Sequence, residues 1–413
     1  PNTKALNAAA VALTGVTASS KTYAAASGLG SFTALQLIYA SGFSNATNNG
    51  LKTVASSTAG TVVVNEALID EAAPPAAAKL QTVGFRFASG DISMAVTSGI
   101  PSLVATAANF TTLPGLIPGL WVFIGGDAAG TAFVNNVGYA RIKSIAAKAI
   151  VFDDTTFTPA TEAGTGKTIH LFVGTVVKNE KTPSLIKRRS YNIERQLGSG
   201  PTSTQAEYLE GAVANEFTLN IPQADKLNAD LTFIACDNTH KSGEAGDEIK
   251  SGTRVSAAGE DAFNTSSDIY RIKMAVIDPT ASNPAALFGY VSEANVSINN
   301  NVSPNKAVGI LGAFDTTAGN FEVGGSITAY FTTVSAVRAV RQNADVGLSV
   351  IGASKNAGFV FDIPLLGLGG GRLAVEKDAP ITVPLEPAGA ENPNGYTMLY
   401  EAFSYLPNVA MPK

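Results

Sequence analysis

A chain of 413 residues exceeds the roughly 250–300 residues beyond which one hydrophobic core stops growing, which argues against a one-domain reading and for two or three domains. Charged residues are 15% and hydrophobic residues 45%, against a usual charged share of about 25%, so a free monomer has little charge to hold its surface in water and a surface covered by neighbours is expected. Residues 1–180 hold 10 basic and 9 acidic side chains while residues 181–413 hold 18 and 24; an acidic surface gains nothing from counterion release, which argues against tight nucleic-acid binding but not against DNA sliding past.

Apolar runs such as residues 8–13 are short and bounded by Asn7, Thr14 and Gly15, far below the roughly 18 residues a bilayer requires, so no membrane insertion is expected. Lys4 ahead of an Ala-rich stretch imitates a secretory signal faintly but lacks a continuous apolar segment. A single cysteine, Cys236, excludes an intrachain disulfide, and beside the apolar run 231–235 a buried thiol is the plain reading. A reducing cytoplasm is the expected place of synthesis. His170 and His240 stand far apart without a cysteine cluster, so neither a metal nor a cofactor is expected.

In chain order, two stretches look like copies of each other. Residues 32–40 read as a strand leading into the turn-rich Gly42-Phe-Ser-Asn-Ala-Thr-Asn-Asn-Gly50 and the β-branched Thr61-Val-Val-Val64; residues 116–124 lead into Gly125-Gly-Asp127, Asn135-Asn-Val-Gly138 and Ala149-Ile-Val-Phe152. Strands at 79–87 and 167–173 close the copies. Asn and Gly tolerate the positive φ of tight hairpins, so each copy reads as a small β-module, and the Ser-, Thr-, Ala- and Pro-rich residues 88–114 read as a connector. From Thr182 onward, period-two alternation at 190–197, 215–221 and 229–235 predicts half-buried strands. Residues 237–267 lose all periodicity and predict a long exposed loop, uncommon unless functional. Strands are predicted again at 269–276, 289–299 and 324–332. Residues 333–345 predict an amphipathic helix with Val334, Val337 and Val340 on one face and Arg338 and Arg341 beside it. Further strands are predicted at 346–351, 358–366, 372–375, 381–385 and 396–403.

The expected fold is therefore mainly β. Residues 1–31 form an arm and first connector, 32–87 the first module, 88–115 a connector, 116–180 the second module, and 181–413 a β-sandwich domain with one helix and the arm loop 237–267.

Motifs that suggest chemistry fail on context. Gly164-Thr-Gly-Lys-Thr168 ends like a phosphate-binding loop, but Thr161 stands where a glycine is required and a strand, not a helix, follows. Gly369-Gly-Gly-Arg-Leu-Ala374 fits a relaxed dinucleotide fingerprint, yet Pro380 forbids the long helix such a motif must open. Lys187-Arg-Arg189 is the tightest basic cluster; beside Tyr191 it suits a phosphate or base, but salt bridging within the fold or across a subunit boundary is favoured. No G-x-S-x-G occurs, and Cys236 and the histidines suggest no nucleophile with an oriented base. The carboxylates between Glu244 and Asp261 sit in a polar segment that offers no pocket to separate their pKa values. No catalytic residue is expected.

Three ordered segments carry a resemblance: Ser190-Tyr-Asn-Ile-Glu-Arg-Gln-Leu197, Gln205-Ala-Glu-Tyr-Leu-Glu-Gly211, and Val213-Ala-Asn-Glu-Phe-Thr-Leu-Asn-Ile-Pro222. With Ala294-Asn-Val-Ser-Ile-Asn-Asn-Asn301, Gly324-Gly-Ser-Ile-Thr-Ala-Tyr-Phe331 and the closing Ala402-Phe-Ser-Tyr-Leu-Pro407, residues 182–413 resemble the tail tube proteins of bacteriophages with long non-contractile tails. In that family a strand ending in an Ile-Glu-Arg type sequence is followed by a Tyr-containing Gly turn, an Asn-x-Phe/Leu-x-Leu strand and a strand ending in a small apolar pair. The N-terminal modules resemble, more loosely, inserted decoration domains of some relatives.

The resemblance implies a structural virion protein, not an enzyme, made in the host bacterial cytoplasm and built into the tail. It implies hexameric rings stacked axially into a hollow tube for double-stranded DNA, which passes without tight binding, and contacts with tape measure, tail tip and terminator proteins. The loop 237–267 would reach the next ring, and Lys187, Arg188, Arg189, Asp237, Glu244, Asp247, Glu248, Arg338 and Arg341 become candidate subunit contacts. The acidic excess suits a wall that does not hold DNA. An alternative is a virion or cell-surface binding module, adhesin-like, that uses the repeated N-terminal modules. A glycan hydrolase would need two buried carboxylates about 5–10 Å apart in a groove.

Overall fold

β-Branched and alternating segments dictate strands throughout: Thr61–Val64 is TVVV, and in Thr382–Gly389 every second residue, Val383, Leu385 and Pro387, is buried, the signature of a pleated ribbon with one face on a core. The computed structural model describes residues 2–4, 11–186, 188–197, 205–242, 259, 261–278, 280–281 and 283–411. Among them the fold is mainly β with one α-helix, as the sequence pattern predicts.

The N-terminal strands are β1 (Asn2–Lys4), β2 (Leu13–Thr17), β3 (Thr22–Ala25), β4 (Gln36–Ser41), β5 (Gly50–Ser57), β6 (Thr61–Val64) and β7 (Lys79–Arg86). They are followed by β8 (Ile92–Thr97), β9 (Ile100–Ala105), β10 (Trp121–Gly126), β11 (Gly138–Ala146), β12 (Ala149–Thr155), β13 (Ile169–Phe172) and β14 (Thr175–Lys178). Strands β2 to β13 form one sheet in the order β2-β3-β6-β5-β4-β7-β13-β10-β11-β12-β9-β8. Read outward from the β7–β13 pair, the two halves have the same connectivity.

The copies extend further than the sequence pattern suggests. Residues 88–115, expected as a connector, carry the β8–β9 hairpin, and the segment 1–31, expected as an arm, carries its counterpart β2–β3. Ser, Thr and Ala are weak strand signals alone, and pairing of β3 with β6 and of β9 with β12 supplies what propensity does not.

A matching clasp marks the duplication. In the first half Glu71 pairs its backbone with Val16, and its carboxylate accepts from Ser44 N–H, Asn45 N–H and the buried Asn48 amide. In the second, Glu162 pairs with Met94 and accepts from Val134 N–H, Asn135 N–H and the buried Asn136 amide. Asn48 and Asn136 each also exchange two bonds with the backbone of Ile69 and Ala160 respectively.

The remaining elements are β15 (Tyr191–Leu197), β16 (Gln205–Ile221), β17 (Asn228–Ile234), β18 (Asp237–Ser242), β19 (Ile269–Val276), β20 (Val291–Asn299) and β21 (Ser303–Asn305). After them come β22 (Asp315–Thr317), β23 (Glu322–Tyr330), α1 (Ser335–Arg341), β24 (Val346–Ser354), β25 (Ala357–Gly370), β26 (Thr382–Gly389) and β27 (Leu399–Phe403). The 14-residue β25 belongs to both layers of a sandwich. Its first half lies between β24 and β27, and its second half pairs with β26. Pro364, with no N–H for a ladder, stands at the change of partner. One core, including Leu219, Val296, Ile327, Leu385, Leu348, Phe361 and Ile363, fills the space between the layers.

Four expectations are corrected here. Residues 372–375 form no strand, only an isolated bridge from Ala374 to Thr382. The helix buries Ala336 and Ala339, while Val334 is exposed; small side chains let it lie closely on the sheet, with Val337 and Val340 at its margins. Residues 237–242 of the expected loop are strand β18, polar on both faces and therefore without an apolar alternation; residues 243–258 lie outside the described residues. Gly211, expected in a turn, lies inside the continuous 17-residue β16. With φ +64° it forms an irregularity opposite Cys236, and only a residue without Cβ takes that conformation freely.

The duplicated sheet packs on the sandwich through Trp121, Phe123, Tyr139 and Phe172 on one side and Ile351, Val360, Phe403 and Leu406 on the other. Glu401 of β27 is fully buried and accepts from Gly174 N–H at 2.7 Å and Trp121 N–H at 3.0 Å. Burial raises its pKa to about 8, against the opposing pull of the two N–H donors. Nearby, Arg141 bonds Asp153 and the buried Asp362, and Asp154 pairs with Arg271 and Lys273. Arg141 and Arg271 also lie over the Trp121 ring.

Candidate assembly interface

The N-terminal half of β16 has strands on both edges. Residues 205–210 face β18, in register from Gln205–Ser242 to Glu210–Asp237, and residues 205–212 face β15. The C-terminal half passes into the sandwich between β17 and β20. The result is a three-stranded ribbon continuous with the core through one strand. Among the described strands, β15, β17 and β18 pair only with β16, so each has one edge of N–H and C=O groups with no described strand beside it. Five consecutive residues of β17, Asn228 to Thr232, are exposed, so neither of its faces is covered there.

Where β16 and β17 enter the sandwich, the two layers gape. The opening is a groove of about 530 Å³, lined mainly by apolar side chains, with Phe217, Leu219, Leu231, Phe359, Phe361 and Tyr400 among its walls. A groove of that character leaves a continuous apolar surface open to water in the single chain.

Next to it, β21 and β22 form a short hairpin whose tip carries no charge between Lys306 and Asp315. Val308, Ile310, Leu311 and Phe314 are all exposed there, Leu311 at 90%. The tip is pinned to the junction of β17 and β18 by Ala313 N–H donating to Cys236 O at 2.8 Å, and Gly312 sits against Asp237.

Of the residues singled out in the sequence, Arg188 donates to Thr316 O at 2.6 Å, so it grips the backbone of this hairpin where an acidic partner was expected. Arg189 is exposed beside it in sequence. Asp237 is exposed at the other end of the hairpin contact and accepts from Asn238 N–H. Arg188 and Asp237 are thus brought to one hairpin. Arg338 and Arg341 lie exposed in the last turn of α1, where cations complement the helix dipole; Arg338 borders a shallow hollow that it shares with Asn283, Leu287 and Gln342. Lys187, Glu244, Asp247 and Glu248 lie outside the described residues. Sequence reasoning missed the hairpin tip and the groove. The tip had a signal, an uncharged Gly-rich apolar run with no alternation, but the groove is assembled from eight separate segments and had none.

Titratable groups here are committed to structure. His170 is buried with Nε2 at 2.6 Å from Asp127 Oδ1, and burial lowers its pKa despite that carboxylate. Asp127 is itself clamped by Arg86, whose hydrogen bond holds its carboxyl below the usual range. Arg141, Lys273, Asp153, Asp154 and Asp362 line a hollow of about 160 Å³, with every one of these carboxylates ion-paired to Arg or Lys.

No curated protein matches the chain. A protein family described as phage tail tube protein matches residues 70–388, reaching well N-terminal of the 182–413 segment that carries the sequence resemblance and taking in the whole second copy of the repeat. The chain belongs to the phage tail tube protein family, a structural component of the virion tail.

Proposed function

We propose that this chain assembles with copies of itself into hexameric rings that stack into a hollow tube, through which the genomic DNA passes without being tightly held. The observation that carries the reading is the ribbon: open strand edges and an open apolar groove leave surface unsatisfied in the single chain, which a neighbouring subunit would cover. Heterologous contacts that close give rings, and axial repetition gives a filament from one sequence. The acidic excess of residues 181–413 suits a lumen wall that repels phosphate.

In this reading residues 181–413 are the tube-forming domain, and the N-terminal duplicated sheet is carried on it as a decoration or stiffening element. Arg188, Arg189, Asp237, Arg338 and Arg341 contribute contacts between subunits. Tape measure, tip and terminator proteins cap or fill the tube, and the chain is made in the host cytoplasm. Negative-stain electron microscopy of the purified chain at rising concentration tests the reading. Hollow tubes of constant diameter are expected; monomers at every concentration, with or without a tail-tip initiator, would refute it.

A further inference from the structure

We propose that Lys273 and Asn283 join through an intramolecular isopeptide bond, with Asp154 moving the protons. Lys273 stands on β19, opposite Ser349 of β24, and is only 6% exposed. After β19 the chain returns along it: Ala286 bridges Ala275, and Leu287 N–H donates to Met274 O at 2.8 Å. That return brings the Asn283 side chain to Lys273, whose Nζ lies 2.6 Å from Asn283 Oδ1 and 3.0 Å from Asp154 Oδ1. A carbonyl carbon is ~1.2 Å from its oxygen, so Nζ is about 3–4 Å from Asn283 Cγ, a range that brackets a near-attack arrangement. Amine, carboxamide and carboxylate thus meet at one point.

A lysine attacks only as the free amine. Burial lowers the Lys273 pKa; Asp154 opposes that fall, and the neighbouring Arg271 and Arg141 cations reinforce it. Asp154, whose other oxygen is held by Arg271, takes one proton from the ammonium, and rotation about Cε–Nζ turns the freed electron pair toward Cγ. The Nζ–Cγ bond forms, the Cγ–Nδ2 bond breaks, and the protons shed by Nζ leave with Nδ2. An ammonium and a carboxamide become a secondary amide and an ammonium ion, with no oxidant or other reactant. The two guanidinium cations also favour the negative charge that develops on Oδ1. The following residue, Pro284, has no N–H, so the backbone attack that turns many asparagines into a succinimide is closed to Asn283. Asn283 is exposed, which gives the ammonia a way out. Because Asp154 comes from β12 of the duplicated sheet, the reaction waits until both halves of the molecule have packed.

The test is the intact mass and tryptic map of the full chain, purified and held at mildly alkaline pH. The expected chain is lighter than its sequence by one ammonia, and trypsin leaves residues 272–306 as a single peptide, uncut after Lys273. Asn283→Ala alters an exposed residue and Lys273→Arg keeps the cation beside Asp154; both should show the full mass of their sequences. Asp154→Asn, scored on its soluble folded fraction, should accumulate the unlinked chain. Wild-type protein of full mass, cut into residues 272–273 and 274–306, would overturn the bond. So would an ammonia loss that persists in Asn283→Ala, because it then arises elsewhere, as at the Asn-Gly pairs 49–50 and 394–395. Linkage in Asp154→Asn at the wild-type level would overturn the role of Asp154.

Discussion

Glu401 is the residue through which the join between the two halves of the molecule is most sharply tested. It is fully buried, and its two oxygens accept one N–H from Gly174 and one from Trp121. Glu401→Ala leaves both N–H groups buried without a partner at about 1–3 kcal/mol each, together roughly 2–6 kcal/mol, before any cost of the vacated volume. Glu401→Gln keeps one acceptor and orphans or repels one N–H, so about 1–3 kcal/mol is expected. The folded carboxyl holds its proton up to about pH 8 and the unfolded one releases it near 4.5. The folded state therefore binds more protons between these values: the contribution is full below pH 4.5, falls as pH rises through the window, and is lowest above pH 8. Asp362 behaves alike, its burial raising it to about 6, while His170, lowered by burial, contributes a slope of opposite sign near its ordinary value, so the part of the slope that belongs to Glu401 is the difference between wild type and Glu401→Gln. The assay is urea unfolding followed by fluorescence of Trp121, the single tryptophan, at pH 6.5, 7.25 and 8. Wild-type stability should fall across the three, and Glu401→Gln should flatten the fall. Equal losses for Ala and Gln, or an unchanged slope in the Gln protein, would refute the reasoning.

The duplicated clasps predict parallel behaviour: Glu71→Gln and Glu162→Gln each replace one acceptor oxygen by a donor facing backbone N–H groups. Each should cost about 1–3 kcal/mol, and the two should add in the double variant because they lie in separate halves, as chemical denaturation would reveal. Asp154→Asn removes the anion shared by Arg271 and Lys273, the latter 6% exposed, and should destabilise by about 3–5 kcal/mol; a melting temperature within a degree of wild type would contradict it. Gly119→Ala places a methyl group against the Tyr396 hydroxyl at a backbone φ of +89° and should cost about 2–5 kcal/mol from strain and overpacking, visible as lost soluble yield or a lowered thermal midpoint.

Much of this fold is written in local pattern. The alternation in residues 215–221 and 229–235, the β-branched run Thr61–Val64 and the Asn/Gly turns at 45–50 and 135–138 act through neighbours in the chain, and each becomes strand or turn where expected. The order of short segments after Ser190 was enough to suggest the tail tube family. What local pattern could not carry are contacts between distant residues. The hairpins β2–β3 and β8–β9 are held by pairing partners roughly 40 to 50 residues on, in β6 and β12, so their Ser- and Ala-rich sequences look like linkers alone. Strand β18 is polar on both faces because β16 supports it by backbone bonds, which leave no mark on side-chain periodicity. Glu71, Glu162 and Glu401 look like any surface carboxylate until the fold closes around them and supplies backbone N–H donors from elsewhere in the chain. The groove is the extreme case: its walls come from residues 177 to 400, and only the divergence of two sheet layers makes their apolar side chains one surface. Sequence determined the strands, the repeat and the family because these depend on residue type and spacing; tertiary structure alone decided which edges stay open and which apolar surfaces face each other, because those depend on how sheets pack.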